Sequence, residues 1–149
     1  MKLEEEIFNK AFESNYNKVL VNILFTYSWV GNLIKKELYP YEITMQQYNV
    51  LRILRGQYPN PATVNLVKAR MLDKVSDVSR LIERLVQKEL LTRCPSRKDR
   101  RVADVLITEK GLELLETVNL DEVTQNKIAK NITEEEAGLL SDLLDKLRN

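Results

Sequence analysis

A chain of 149 residues with 44% hydrophobic content supports one core, or a core with an added association layer, and is too short for two independent enzyme domains. It contains no histidine, so neither a Ser-His-Asp nor a Cys-His nucleophile system can be built, nor the usual His-bearing zinc site. We therefore expect no enzyme, no metal and no cofactor.

Cys94 is the sole cysteine, which excludes an intramolecular disulfide and fits a reducing compartment. No apolar run approaches the ~20 residues that span a bilayer, and the opening MKLEEEIF lacks the basic flank and apolar segment of a signal peptide. A cytoplasmic protein without membrane association is expected.

From Ile7 to Leu38 apolar residues recur at helical spacing (Phe8, Phe12, Tyr16, Val19, Leu20, Ile23, Tyr27, Val30, Ile34, Leu38), which predicts one long helix or one interrupted once. Its stripe is too apolar for a lone surface helix and calls for a partner surface. Thr44 and Gln47 have capping-box spacing and open a second helix that runs to about Arg55, before the breakers Gly56, Pro59, Asn60 and Pro61.

A short third helix over Thr63 to Met71 and a fourth over Lys74 to Glu89, joined by about three residues, have the layout of a helix-turn-helix. Leu90 to Cys94 and Ala103 to Ile107 read as two strands around the polar turn Pro95 to Arg100, a hairpin wing. Thr108 caps a fifth helix that includes Leu112, Leu115 and Val118 and continues past Ile128. Thr133 and Glu136 form a second capping box before a last helix bearing Leu140, Leu143, Leu144 and Leu147. The expected fold is mainly α with a small β-hairpin wing: a winged helix-turn-helix over 41–109, flanked by dimerisation helices over 1–40 and 110–149.

The formal net charge of +1 conceals segregation. From Lys68 to Arg101 there are 11 Lys/Arg against 5 Asp/Glu, so cation is concentrated where a polyanion could dock. Opposite Val78, Leu81 and Leu85, the fourth helix displays Ser76, Asp77, Ser79, Arg80 and Arg84, with Lys74 near its start. Arginines there could pair with guanine, and Asp77 should face a base edge, face solvent, or pair with Arg80 or Arg84. Taken alone, the same pattern also describes a solvated amphipathic helix. The hairpin tip Arg97-Lys98-Asp99-Arg100-Arg101 adds four cations that could follow phosphates or enter a narrow minor groove.

The run from Val75 to Gly111 resembles the MarR family of bacterial regulators. It shares the Ser-Arg-Leu-Ile core of the recognition helix, the Lys-x-Leu-Leu-x-Arg exit, the wing Asp-Arg-Arg, and the Leu-Ile-Thr-x-x-Gly re-entry into helix. Thr44-x-x-Gln47-Tyr-x-Val50-Leu51 is similar to the family's second-helix entry. The resemblance implies that Asp99 orients a wing arginine, that Arg101 reaches the minor groove, and that Ser76, Asp77, Arg80 and Arg84 lie on the groove-facing helix. It also implies a homodimer formed by the terminal helices, acting as a regulator, and a repressor in the expected case, on double-stranded DNA with a pseudo-palindromic operator.

A small aromatic or anionic effector is a further expectation, with Tyr16, Tyr27, Trp29 and Tyr48 as candidate pocket residues. Two positions depart from the family pattern. Glu89 replaces a glycine, so either a residue with a side chain adopts the cap conformation or the turn differs. Val67 and Lys68 replace an alanine and an acidic residue. Family members that sense peroxide carry their cysteine near the amino terminus, so Cys94 is expected to be structural or incidental. The competing reading is a winged-helix protein-protein interaction module without DNA binding.

Overall fold

Four threonines organise the chain by the same local chemistry, each accepting a backbone N–H that a helix start would otherwise leave unpaired. Thr44 Oγ1 accepts from Gln47, Thr63 from Leu66, Thr108 from Gly111 and Thr133 from Glu136, at 3.1–3.2 Å. At Thr44 and Thr133 the Gln47 and Glu136 side chains bond back to the cap amide, closing both expected capping boxes.

In the computed structural model, residues 2–7, 11–96, 103–118 and 120–149 are described, the side chains of 121–124 excepted. The helices are α1 (Leu3–Glu6), α2 (Asn15–Leu38), α3 (Met45–Arg55), α4 (Val64–Arg70) and α5 (Val78–Gln87). Strands β1 (Leu91–Pro95) and β2 (Ala103–Ile107) precede α6 (Glu109–Thr117), α7 (Leu120–Ile128) and α8 (Glu134–Leu147); a 3-10 turn at Tyr39–Tyr41 links α2 to α3. The strands pair antiparallel, with Leu91 opposite Ile107 and Cys94 opposite Asp104. Ala62 exchanges both backbone hydrogen bonds with Val105 at 2.8 Å, extending the hairpin by one bridge just before α4.

The core lies under this lobe. Leu38, Val50, Leu51, Leu54, Val67, Ile82, Leu85, Val105 and Ile107 are fully or almost fully buried. Ile82 and Leu85 anchor α5, and at about 1.5–3 kcal/mol for each fully buried side chain they hold its other face outward.

Three boundaries differ from the sequence reading. The long first helix starts only at Asn15, where Ser14 in extended geometry accepts from the Asn17 amide at 3.1 Å. The fourth helix is Val78–Gln87 rather than Lys74 to Glu89, because Asp77 caps it and the preceding turn spends its hydrogen bonds on Asp73. The fifth helix breaks at Val118, whose carbonyl accepts the Tyr48 hydroxyl at 3.3 Å. Val118 and Leu120 on either side of the break are both buried, so burial outweighs helical continuity.

Glu89 does adopt the left-handed cap conformation, at φ 62. Its amide donates to Val86 O at 2.9 Å and the Leu90 amide to Leu85 O at 3.0 Å, a Schellman motif with Leu85 and Leu90 buried against the core. A side chain at positive φ is strained, whereas glycine is not. Lys110 offsets part of that strain by bonding both Glu89 Oε2 at 2.9 Å and the Lys88 carbonyl at 3.0 Å. This ammonium holds the Glu89 carboxyl below its ordinary pKa. We expect Glu89→Gly to raise the melting temperature by roughly 2–4 °C in a calorimetric scan. A lower melting temperature would show that the Lys110 pair outweighs the backbone strain.

Candidate nucleic-acid interface

With Val78, Ile82 and Leu85 inward, α5 turns Ser79, Arg80, Glu83, Arg84 and Gln87 to solvent. These positions recur at i, i+1, i+4, i+5 and i+8, a continuous strip along one side of the helix. Among the described residues, neither the Arg80 nor the Arg84 guanidinium has a hydrogen-bond or ion-pair partner.

Lys74, Ser76 and Asp77, expected on the helix, stand in the turn before it. Asp77 Oδ1 accepts the Arg80 backbone amide at 3.1 Å, so its carboxylate is used against the positive end of the helix rather than in an arginine side-chain pair. Ser76 donates to Asp73 Oδ2 at 2.7 Å, and Val75 N–H donates to Asp73 Oδ1 at 3.0 Å. The Ser76 hydroxyl, followed by the Val75 amide, holds the Asp73 carboxyl below its ordinary range. The Lys74 ammonium caps the Ala69 carbonyl at 2.6 Å.

Sequence reasoning passed over Asp73 and Asn49. The legible signal was an Asp three residues before a Ser, the spacing of an Asx-type turn. Asn49 on α3 gave no such signal, since its contact with the Leu72 amide at 3.0 Å spans 23 residues.

Arg97, Lys98, Asp99, Arg100 and Arg101 lie outside the described residues. The strands that carry them are described, and β1 follows α5 through the three residues Lys88–Leu90, so the hairpin leaves the lobe next to the recognition helix. Cys94 is half-buried, with Sγ 3.7 Å from the Asp104 carbonyl, a weak bond inside the hairpin.

The four aromatic pocket candidates do not converge within the chain. Tyr48 is buried in the core and bonded to Val118, because α3 turns it inward, while Tyr16 is 88% and Tyr27 67% exposed on α2. Trp29 alone lines a cavity, of about 660 Å³, between α1 and α2 with Phe25, Lys2, Lys18, Glu4 and Glu6. Lys18 bonds the Glu4 carboxylate there and lowers its pKa. Among the described residues no helix is long and apolar enough to cross a membrane.

A three-helix lobe whose last helix is solvent-faced, cation-bearing and followed by a two-stranded hairpin defines a winged helix-turn-helix protein. The MarR family model matches residues 41–102. The HTH-type transcriptional regulator MhqR of Bacillus subtilis (strain 168) is 24% identical over 131 residues, covering 87% of this chain and 89% of that protein. Among solved structures, the MarR transcription factor from Planctomyces limnophilus shares 26% identity at a TM-score of 0.66, over 93% of this chain and 98% of that one. A mutant MarR from E. coli complexed with operator DNA shares the fold at a TM-score of 0.74 and 24% identity, over 99% of each chain. Residues 41–102 therefore match the MarR family, and the chain has the winged-helix fold of the MarR transcription regulators.

Proposed function

We propose that the protein acts as a homodimeric repressor that binds a pseudo-palindromic operator, with the 41–109 lobe reading DNA and the segments 1–40 and 110–149 forming the dimer. The observation that carries the reading is the guanidinium pair Arg80 and Arg84, without a partner among the described residues and held outward on α5 by its buried opposite face. Lys74 and Ser79 at the leading end of α5 supply phosphate or base-edge donors, Ser76, whose proton goes to Asp73, offers its hydroxyl oxygen as an acceptor, and Asp77 supports the helix start. The wing residues Arg97, Lys98, Arg100 and Arg101 reach backbone or minor groove, with Asp99 orienting Arg101.

The dimer rests on two exposed apolar faces. On α2 these are Tyr16, Leu20, Leu24 and Tyr27; on α8, Leu139, Leu140, Leu143 and Leu147 are each half or more exposed. A two-fold partner would cover both and set two recognition helices about one DNA turn apart. For a small aromatic or anionic effector the candidate site is the cavity beside Trp29 and Phe25, whose lining lysines, Lys2 and Lys18, are balanced by Glu4 and Glu6, which favours the aromatic over the anionic character.

Selection from a random duplex pool, followed by binding titrations of variants, tests the reading. Arg80→Ala and Arg84→Ala should each relax preference at one base pair per half-site by about 1–3 kcal/mol. Arg101→Ala should weaken all sequences and flatten the salt dependence of binding, since fewer counterions are released. Unchanged duplex binding in all three variants would place the DNA contact on other residues, and a wild type that selects no duplex sequence would favour an interaction module that does not use DNA.

A further inference from the structure

Two apolar side chains in the turn between α4 and α5 stand almost wholly in water: Leu72 is 84% exposed and Val75 94%. The turn around them is nevertheless tied down. Asn49 holds the Leu72 amide, Asp73 holds both the Val75 amide and the Ser76 hydroxyl, and Lys74 reaches back to Ala69. Valine is also β-branched and stiff about χ1, so its two methyl groups are presented in a defined place.

Val75 precedes the cap residue Asp77 by two positions, which puts it at the leading end of α5, the end a helix-turn-helix lowers into the major groove. Its neighbours Lys74, Ser76, Asp77 and Ser79 are polar and match phosphates or base-edge donors and acceptors. Valine offers only hydrocarbon. The one apolar group that base pairs display in the major groove is the C5-methyl of thymine.

We propose that Val75 is a specificity-determining residue that packs on a thymine methyl in each half-site. The inference rests on the DNA-binding reading above and extends it to a contact with no hydrogen bond. Leu72 has the same chemistry but sits at the far end of the turn, against α3, and is assigned no such contact.

The test uses the full-length protein and a duplex of its selected sequence in which each thymine of a half-site is replaced, one at a time, by deoxyuridine. That change removes only the methyl. Wild type should lose about fourfold in affinity at one thymine, the worth of one buried methyl group, while Val75→Ser should lose nothing there and match wild type at every other position. Should Val75→Ser melt differently from wild type, Val75→Ala provides the same comparison without a new hydroxyl.

A Val75 variant that keeps the full uracil penalty at every thymine overturns the assignment. So does a penalty abolished by Leu72→Ser instead. A protein that selects no duplex sequence at all sinks the DNA-binding reading, and this contact with it; a protein that selects an operator but shows no Val75-dependent thymine effect sinks the contact alone.

Discussion

Gly111→Ala should cost on the order of 3 kcal/mol, at the upper end of overpacking penalties, and lower the melting temperature by roughly 6–12 °C. A Cβ at this position would lie 2.5 Å from the Leu90 carbonyl oxygen and 2.8 Å from Ile107 Cγ1. Neither neighbour can retreat cheaply. The Leu90 carbonyl accepts the Thr108 amide at 3.2 Å, and Ile107 is 1% exposed in the core strand. The glycine amide is itself the donor to the Thr108 cap. The substitution therefore strains the seam where the end of α5, the last residue of β2 and the start of α6 meet, and that seam aims the wing relative to the recognition helix. Thermal denaturation by circular dichroism measures the loss. A melting temperature equal to wild type would mean that the approach of α6 to Leu90 is looser than 2.5 Å implies.

The paired substitution Leu140→Glu with Leu143→Glu should convert the proposed dimer to monomer and reduce operator affinity by about 10²-fold or more. Both leucines stand half exposed on α8, so the isolated chain tolerates carboxylates there without loss of its core, which lies between Leu38 and Leu120. In a two-fold interface each substitution acts twice, placing four carboxylates where apolar surface was buried. The affinity loss follows from geometry: a dimer binds its second half-site as an intramolecular event, and a monomer forfeits that gain of about 10²–10⁴. Sedimentation velocity reports the association state, and fluorescence anisotropy the affinity. A variant that stays dimeric, with unchanged binding, would place the interface on another surface and remove the role proposed for α8.

Much of this architecture was legible in the chain. Thr44 with Gln47 and Thr133 with Glu136 announced two helix starts to the residue, because a capping box is complete within four positions. The hairpin followed from Ala103, Val105 and Ile107 at period two, and β2 is the observed Ala103–Ile107. The cationic bias between Lys68 and Arg101 marked the face of interest before any fold was known. Gly111, part of the quoted motif, proved to be the position with no room for a side chain.

Other features depended on partners distant in sequence. Periodicity carried α5 back to Lys74, but Asp77 ends it by capping and Asp73 gathers the turn. The fifth helix reads as continuous until Tyr48, 70 residues earlier, takes the Val118 carbonyl. The same bond ties the Tyr48 hydroxyl to Val118, and a tyrosine on a helical stripe shows nothing of which way its hydroxyl faces.

What the amino acids determined by themselves is the order of the main helices and the two strands, the threonine caps and the sign of the charged segment, because those rest on neighbours within a turn or two. Tertiary structure alone decided that Arg80 and Arg84 have no partner among the described residues, that Tyr48 takes the Val118 carbonyl, and that Val75 is held out in water. The physical reason is that burial and hydrogen-bond competition are settled between elements, where the contact between Asn49 and Leu72 or between Lys110 and Glu89 has no local pattern to announce it.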